Sequence, residues 1–109
     1  MTLAEMSYRL AAQLPNDEKY GLTSQIRRAA VSVPANIAEG HGRESTGSFI
    51  QFLRVSQGSL KELETHFLLA ERLGLAKSGE AGPLLAECDE IGRMLRAMIR
   101  SLQDRAGTG

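Results

Sequence analysis

The segment from Leu22 to Gly40, LTSQIRRAAVSVPANIAEG, carries two distinct runs of side chains on one helical repeat, and that combination limits the folds open to the chain. At 3.6 residues per turn, Leu22, Ile26, Ala29, Val33 and Ile37 form an apolar stripe, while Gln25, Arg28, Ser32, Asn36 and Glu39 occupy a polar sector roughly 80° wide beside it. A packing helix needs only the first stripe. Solvated helix faces are usually loose mixtures of Lys and Glu, so this alignment predicts an ordered polar seam against another helix or subunit. The alternative is a solvent face of unusual composition, since Arg and Glu are mostly exposed residues.

The apolar rhythm recurs elsewhere. Phe49, Leu53, Ser56, Leu60, Leu63, Phe67 and Ala70 alternate spacings of four and three, as do Leu84, Cys88, Ile91, Leu95, Met98 and Leu102, and each series is a bundle seam. Leu3, Met6, Leu10 and Leu14 predict a short first helix closed by Pro15. Asn16, Asp17 and Gly21 make the first connection, Gly40 and Gly42 stop the second helix, Ser45 caps the third, and Gly74 to Pro83 form the last break. Pro34 removes a donor and crowds the carbonyl of Ala30, predicting a kink in one continuous helix because both stripes run through it. The competing reading starts a new helix at Pro34 with Ser32 near its cap. Gly58 interrupts the third helix and is expected to permit close approach of another backbone. The tail from Asp104 onward is expected to fray.

These signals give an all-α chain: one domain over 1–109, with helices at about 2–14, 22–40, 46–73 and 80–104. Short connectors force neighbouring helices to alternate direction, so the expected architecture is an antiparallel up-down-up-down four-helix bundle with a shortened first helix and a proline kink in the second. Only five of the 109 residues are aromatic, which fits helices better than a β-sandwich.

Thirteen basic and thirteen acidic side chains leave no net charge, so nothing global draws the protein onto phosphate. Cys88 is the single cysteine; it falls in the apolar repeat and is read as a buried, inert thiol. The N-terminal MTLAEMSYRLAAQLP interleaves charges with apolar residues and is not a signal peptide, and no apolar run could span a bilayer. Cytoplasmic location and no membrane partner are the expectations.

Val31, Pro34 and Ala38, Phe52, Val55 and Leu69, and Leu85, Met94 and Ile99 lie off the main stripes. Some of these widen the core, but the remainder exceeds what one small bundle buries and predicts self-association.

The usual chemistry of bundles is missing from the sequence. Glu-x-x-His pairs that hold two metals are absent, His41 sits between glycines, and His66 has Leu63 three residues before it. No histidine can be connected by spacing to Cys88 or a serine, and GHGRE lacks the features of a phosphate loop. The expectations are no enzymatic activity, no cofactor, no metal and no small-molecule substrate. Arginine suits phosphate, and Arg27, Arg43, Arg54, Arg93, Arg96 and Arg100 are the candidate nucleic-acid contacts. Glu87, Asp89 and Glu90, or Glu39 and Glu44, could instead pair with them as ordinary solvated faces.

LTSQIRRAAVSVPANIAEG, followed by GSLKELE at Gly58 to Glu64, resembles the bacterial 23S rRNA intervening-sequence proteins, whose members are similar to accessory proteins of diversity-generating retroelements. The likeness runs from about Pro15 to Leu102. It implies a four-helix bundle assembled as a ring-shaped homopentamer; nucleic-acid binding, to RNA or DNA, is implied only by association. The resemblance also implies a longer first helix than the one seen here. It gives Arg28 a structural role, paired with Glu39, Glu62 or Glu64; Glu39 stands about 16 Å away along the same helix and could be reached only on another copy. The chain is thus expected to be a non-enzymatic oligomer associated with RNA. The alternative is a ring-shaped structural or adaptor protein with only protein partners.

Overall fold

The computed structural model describes residues 2–18, 21–77 and 79–108. Four helices follow in order: α1 (Leu3–Ala12), α2 (Leu22–His41), α3 (Thr46–Arg72) and α4 (Ala81–Thr108), with a 3-10 turn at Asn16–Glu18. No strand occurs among the described residues. The helices form an elongated bundle of 51 × 23 × 21 Å.

Contacts between α2 and α3 run in opposite order along the chain. Gly40 meets Phe49 and Phe52, Val33 meets Ser56, and Ser32 meets Ser59, so α2 and α3 are antiparallel. Gly92 lies against Leu60, and Tyr8 beneath Arg27. α1 packs on both α2 and α4, which closes the bundle.

The core is the set of predicted stripes brought face to face. Leu10, Ile26, Val33, Leu53, Leu60, Leu63, Phe67, Leu84, Cys88 and Leu95 are all buried, while Ile37, Phe49, Ile91 and Met98 pack half-buried at its edge. Ile99, expected off the stripe, is also buried. The α4 stripe is therefore wider than its four-three spacing indicates, as is usual where a helix faces two neighbours.

Local chemistry sets the helix ends. Thr2 and Glu5 form a reciprocal capping box on α1, and the Ser45 hydroxyl accepts from the Ser48 N–H at 3.1 Å to cap α3. α2 continues without interruption through Pro34 and ends on Gly42. Two sequence expectations are corrected. Gly40 lies inside α2, where it is buried under Phe49, and does not end the helix. Gly82 and Pro83 belong to the first turn of α4, where a missing N–H costs no helical bond. α4 extends to Thr108. Among the described residues, no helix is long and apolar enough to cross a membrane.

Candidate functional site

The polar edge of α2 divides into a connected centre and exposed ends. Ser32 Oγ lies 2.7 Å from Ser59 Oγ on α3, and Asn36 Nδ2 donates to Ser32 Oγ at 3.0 Å and to the Ser32 carbonyl at 2.8 Å. One turn inward, the buried Ser56 hydroxyl donates to the Val33 carbonyl at 2.8 Å. These links form because small serines on α3 face α2 at successive turns, leaving room for hydroxyl contact where larger side chains would hold the helices apart.

The remaining seam residues point away from this network. Gln25, Arg28, Glu39 and Glu62 are exposed. Glu39 pairs with Arg43 four residues on, at 2.6 Å, and Glu64 pairs with Lys61 at 3.4 Å. Arg28 therefore has no carboxylate within 4.0 Å among the described residues, and neither Glu39, Glu62 nor Glu64 meets it within the chain. The pairing implied by resemblance is not formed in a single copy.

A second stripe runs along the outside of α3. Val55, Glu62 and Leu69 recur every seven residues, and Leu73 extends the line. Val55 is 49% exposed, Leu69 43% and Leu73 60%, although ordinary core-facing positions of the same helix are fully buried. Val31 on α2 is similarly exposed, at 47%.

The six arginines do not form one patch. Arg27 is half-buried, with its guanidinium 5.6 Å from the centre of the Tyr8 ring and its Nε buried without a hydrogen-bond partner among the described residues. Arg43 spans Glu39 and the face of Phe52, 4.7 Å from the ring centre. Arg93 lies 3.3 Å from Asp89, an exposed pair of the kind that contributes about 0–1 kcal/mol. Arg100 is exposed on the same side of α4. Arg54 and Arg96, by contrast, are brought together from different helices. They line one groove of about 480 Å³ between α3 and α4, together with Gln57, Gly58, Lys61 and Gly92.

That groove was not legible in sequence, because it depends on the register of α3 against α4. Gly58 lies on its rim, exposed, with no atom within 4 Å of where a side chain would begin. The expected close approach of another backbone is therefore not made there within the chain. Tight packing occurs instead at Gly40, against side chains of α3: an added Cβ would come within 2.8 Å of the Phe49 ring and 3.2 Å of Phe52 Cβ.

Cys88 is fully buried beside the groove. Burial pushes its thiol up to about 12, helped by the negative charges of Glu64 and Glu87, so it is protonated at neutral pH and unsuited to nucleophilic attack. Among the described residues, no group of three or more His, Cys, Asp and Glu side chains is placed to hold a metal ion. The His41 ring is tilted 56° to that of Phe49 with centroids 4.6 Å apart, and His66 is half-buried with no hydrogen-bond partner for Nδ1 among the described residues.

Comparison with known proteins places this geometry. A crystal structure of a protein of unknown function from the S23 ribosomal protein family of Bacteroides thetaiotaomicron superposes with a TM-score of 0.71 at 23% identity, covering 90% of this chain and 98% of that one. At that identity the likeness establishes the fold alone. No curated protein matches. The family described as 23S rRNA-intervening sequence protein matches residues 1–97, nearly the whole bundle, and the chain belongs to that family.

Proposed function

We propose that the protein is a non-enzymatic bundle that assembles with copies of itself through the outer face of α2 and α3. The observation that carries this reading is the second stripe on α3: Val55 and Leu69 are large, apolar and exposed two heptads apart, with Glu62 midway between them, and neither Glu62 nor Arg28 has an ion pair among the described residues. Apolar side chains in a line cost about 25 cal/mol per Å² left in water, and the polar residues among them fix register in a contact more than they add affinity. A neighbouring copy satisfies both demands. The five-fold ring implied by resemblance would show as five times the 11.8 kDa chain mass.

Sedimentation velocity on the intact chain tests this. The native protein is expected to run as a discrete oligomer, and the Val55→Asp/Leu69→Asp variant as a helical monomer. Arg28→Ala and Asn36→Ala are expected to weaken assembly with little loss of helicity. A native protein that stays monomeric at tens of micromolar would end the proposal.

A second reading, association with RNA or DNA, is favoured by one observation. Arg54 and Arg96 share a groove and neither has a carboxylate partner among the described residues. A ring would repeat that local positive patch around its circumference, although its net charge, like that of the single chain, stays at zero. Titration with structured RNA, single strands and duplex DNA at two salt concentrations decides it. Binding without a salt slope, or none at low salt, rules it out.

A further inference from the structure

The groove between α3 and α4 brings two arginines without ion pairs among the described residues to one concave surface, which the exposed Arg28, Arg72 and Arg100 do not share. Lys61 at one end is engaged by Glu64, and Asp89 by Arg93. Arg54 and Arg96 make no ion pair or hydrogen bond among the described residues, although they line the same concave surface from opposite helices. The carboxylates of the same groove are engaged by Lys61 and Arg93, so an anion entering the recess finds Arg54 and Arg96 with their donors unused.

Two glycines give the recess its depth. Gly92 has no side chain to lift the Arg96 guanidinium, whose Nη1 lies 3.3 Å from where a Cβ would be. Gly58 stands across from it on α3, in open space. Leu60, Cys88 and two carboxylates, Glu64 and Asp89, complete the lining, and each carboxylate is held by a cation of its own, Lys61 and Arg93.

We propose that this groove is a phosphate site, in which one phosphodiester of a single-stranded nucleic acid sits between Arg54 and Arg96. Guanidinium groups offer paired donors that match phosphate oxygens, and two such forks from opposite walls enclose the anion. A flexible strand lowers a phosphate into a recess between helices, whereas a rigid duplex presents its phosphates on a convex ridge. The proposal rests on the nucleic-acid reading above and adds a place and a strand type to it.

The test is fluorescence anisotropy with a labelled ten-nucleotide single-stranded RNA and the intact chain, at 50 and 200 mM salt. Arg54→Ala and Arg96→Ala are each expected to weaken binding about tenfold and to lower the salt slope by about 0.7. Gly58→Leu changes no charge and meets no atom of the fold within 4 Å at its Cβ, so the protein keeps its helicity; by filling the groove it is expected to weaken binding as much as either arginine change. Arg72→Ala, an equal loss of charge in the last turn of α3, is expected to bind like the native chain. Native-like binding by Gly58→Leu, or equal losses in Arg72→Ala and Arg54→Ala, overturns the site while RNA binding itself stands. Equal affinity for a duplex with the same Gly58→Leu sensitivity overturns the single-strand assignment. Absence of salt-dependent binding by the native chain removes the nucleic-acid reading first, and this site with it.

Discussion

The Ser56 hydroxyl of α3 donates to the Val33 carbonyl of α2 at 2.8 Å, one residue before the proline that lies inside α2. Ser56 is fully buried, and Ser59 meets Ser32 one turn further along. The two links bind α2 to α3 beside the position where Pro34 denies the Ala30 carbonyl its usual donor.

Ser56→Ala is expected to destabilise the fold by about 1 kcal/mol, the net value of a buried hydrogen bond whose acceptor keeps its helical partner. Ser59→Ala is expected to cost less, because Ser32 still has Asn36 as a partner. Urea unfolding at fixed protein concentration checks both; an unchanged midpoint for Ser56→Ala would mean that the link contributes nothing.

The helices were legible in sequence because their seams repeat at spacings that only a helix brings to one side, and Phe49 to Ala70 is the clearest instance. Pro34 did not obscure α2, since the apolar stripe on both sides of it keeps the same phase. What could not be read was register between helices. Ser32 belongs to a polar edge in sequence, yet only the placement of α3 makes Ser59 its partner. Arg54 and Arg96 are 42 positions apart in numbering and belong to one groove only through the approach of Leu60 to Gly92. The glycines show the same limit: Gly58 and Gly40 both lie in helices, and the neighbour that decides their meaning is distant in the chain.

These two glycines are expected to respond to alanine with opposite sign. At Gly58 the added methyl meets nothing within 4 Å and replaces the poorest helix former short of proline, so Gly58→Ala should stabilise by about 0.5–1 kcal/mol. At Gly40 the methyl would lie 3.2 Å from Phe52 Cβ, which cannot rotate away, as well as against the Phe49 ring. Overpacking of this kind costs about 1–3 kcal/mol, which outweighs the helical gain. Thermal melts of the two variants should move in opposite directions, and a raised melting temperature for Gly40→Ala would refute the close packing.

α1 has only ten residues, and its first turn depends on Thr2. The Thr2 hydroxyl accepts from the Glu5 N–H at 3.2 Å and donates to Glu5 Oε1 at 2.9 Å, while the Thr2 N–H reaches the same oxygen at 3.4 Å. These bonds hold the Glu5 carboxyl below its ordinary value, so their contribution is complete above about pH 4.5 and is lost as pH falls through the lowered value. Thr2→Ala should cost α1 about 1 kcal/mol of local stability. Hydrogen exchange of the α1 amides is the direct measurement: native protection should decline as the solution is acidified below pH 4.5, and Thr2→Ala should start lower and lose that dependence. Equal protection in both proteins would leave the cap without a role.

Cys88 should give the fold an alkaline sensitivity. Its thiol titrates near 12 in the folded chain, against about 9 when exposed, because burial disfavours the thiolate and Glu64 and Glu87 add repulsion. Below pH 9 both states hold the proton and stability does not depend on this group. Between about 9 and 12 the unfolded chain releases a proton that the folded chain retains, so stability falls by up to about 1.4 kcal/mol per pH unit. Cys88→Ala removes that slope. Unfolding free energies at pH 8, 9 and 10 should therefore converge between native and variant as pH rises, with the native protein losing its advantage. Parallel curves would show that the thiol reaches water, and rapid labelling by a thiol reagent at pH 8 without denaturant would establish the same point independently.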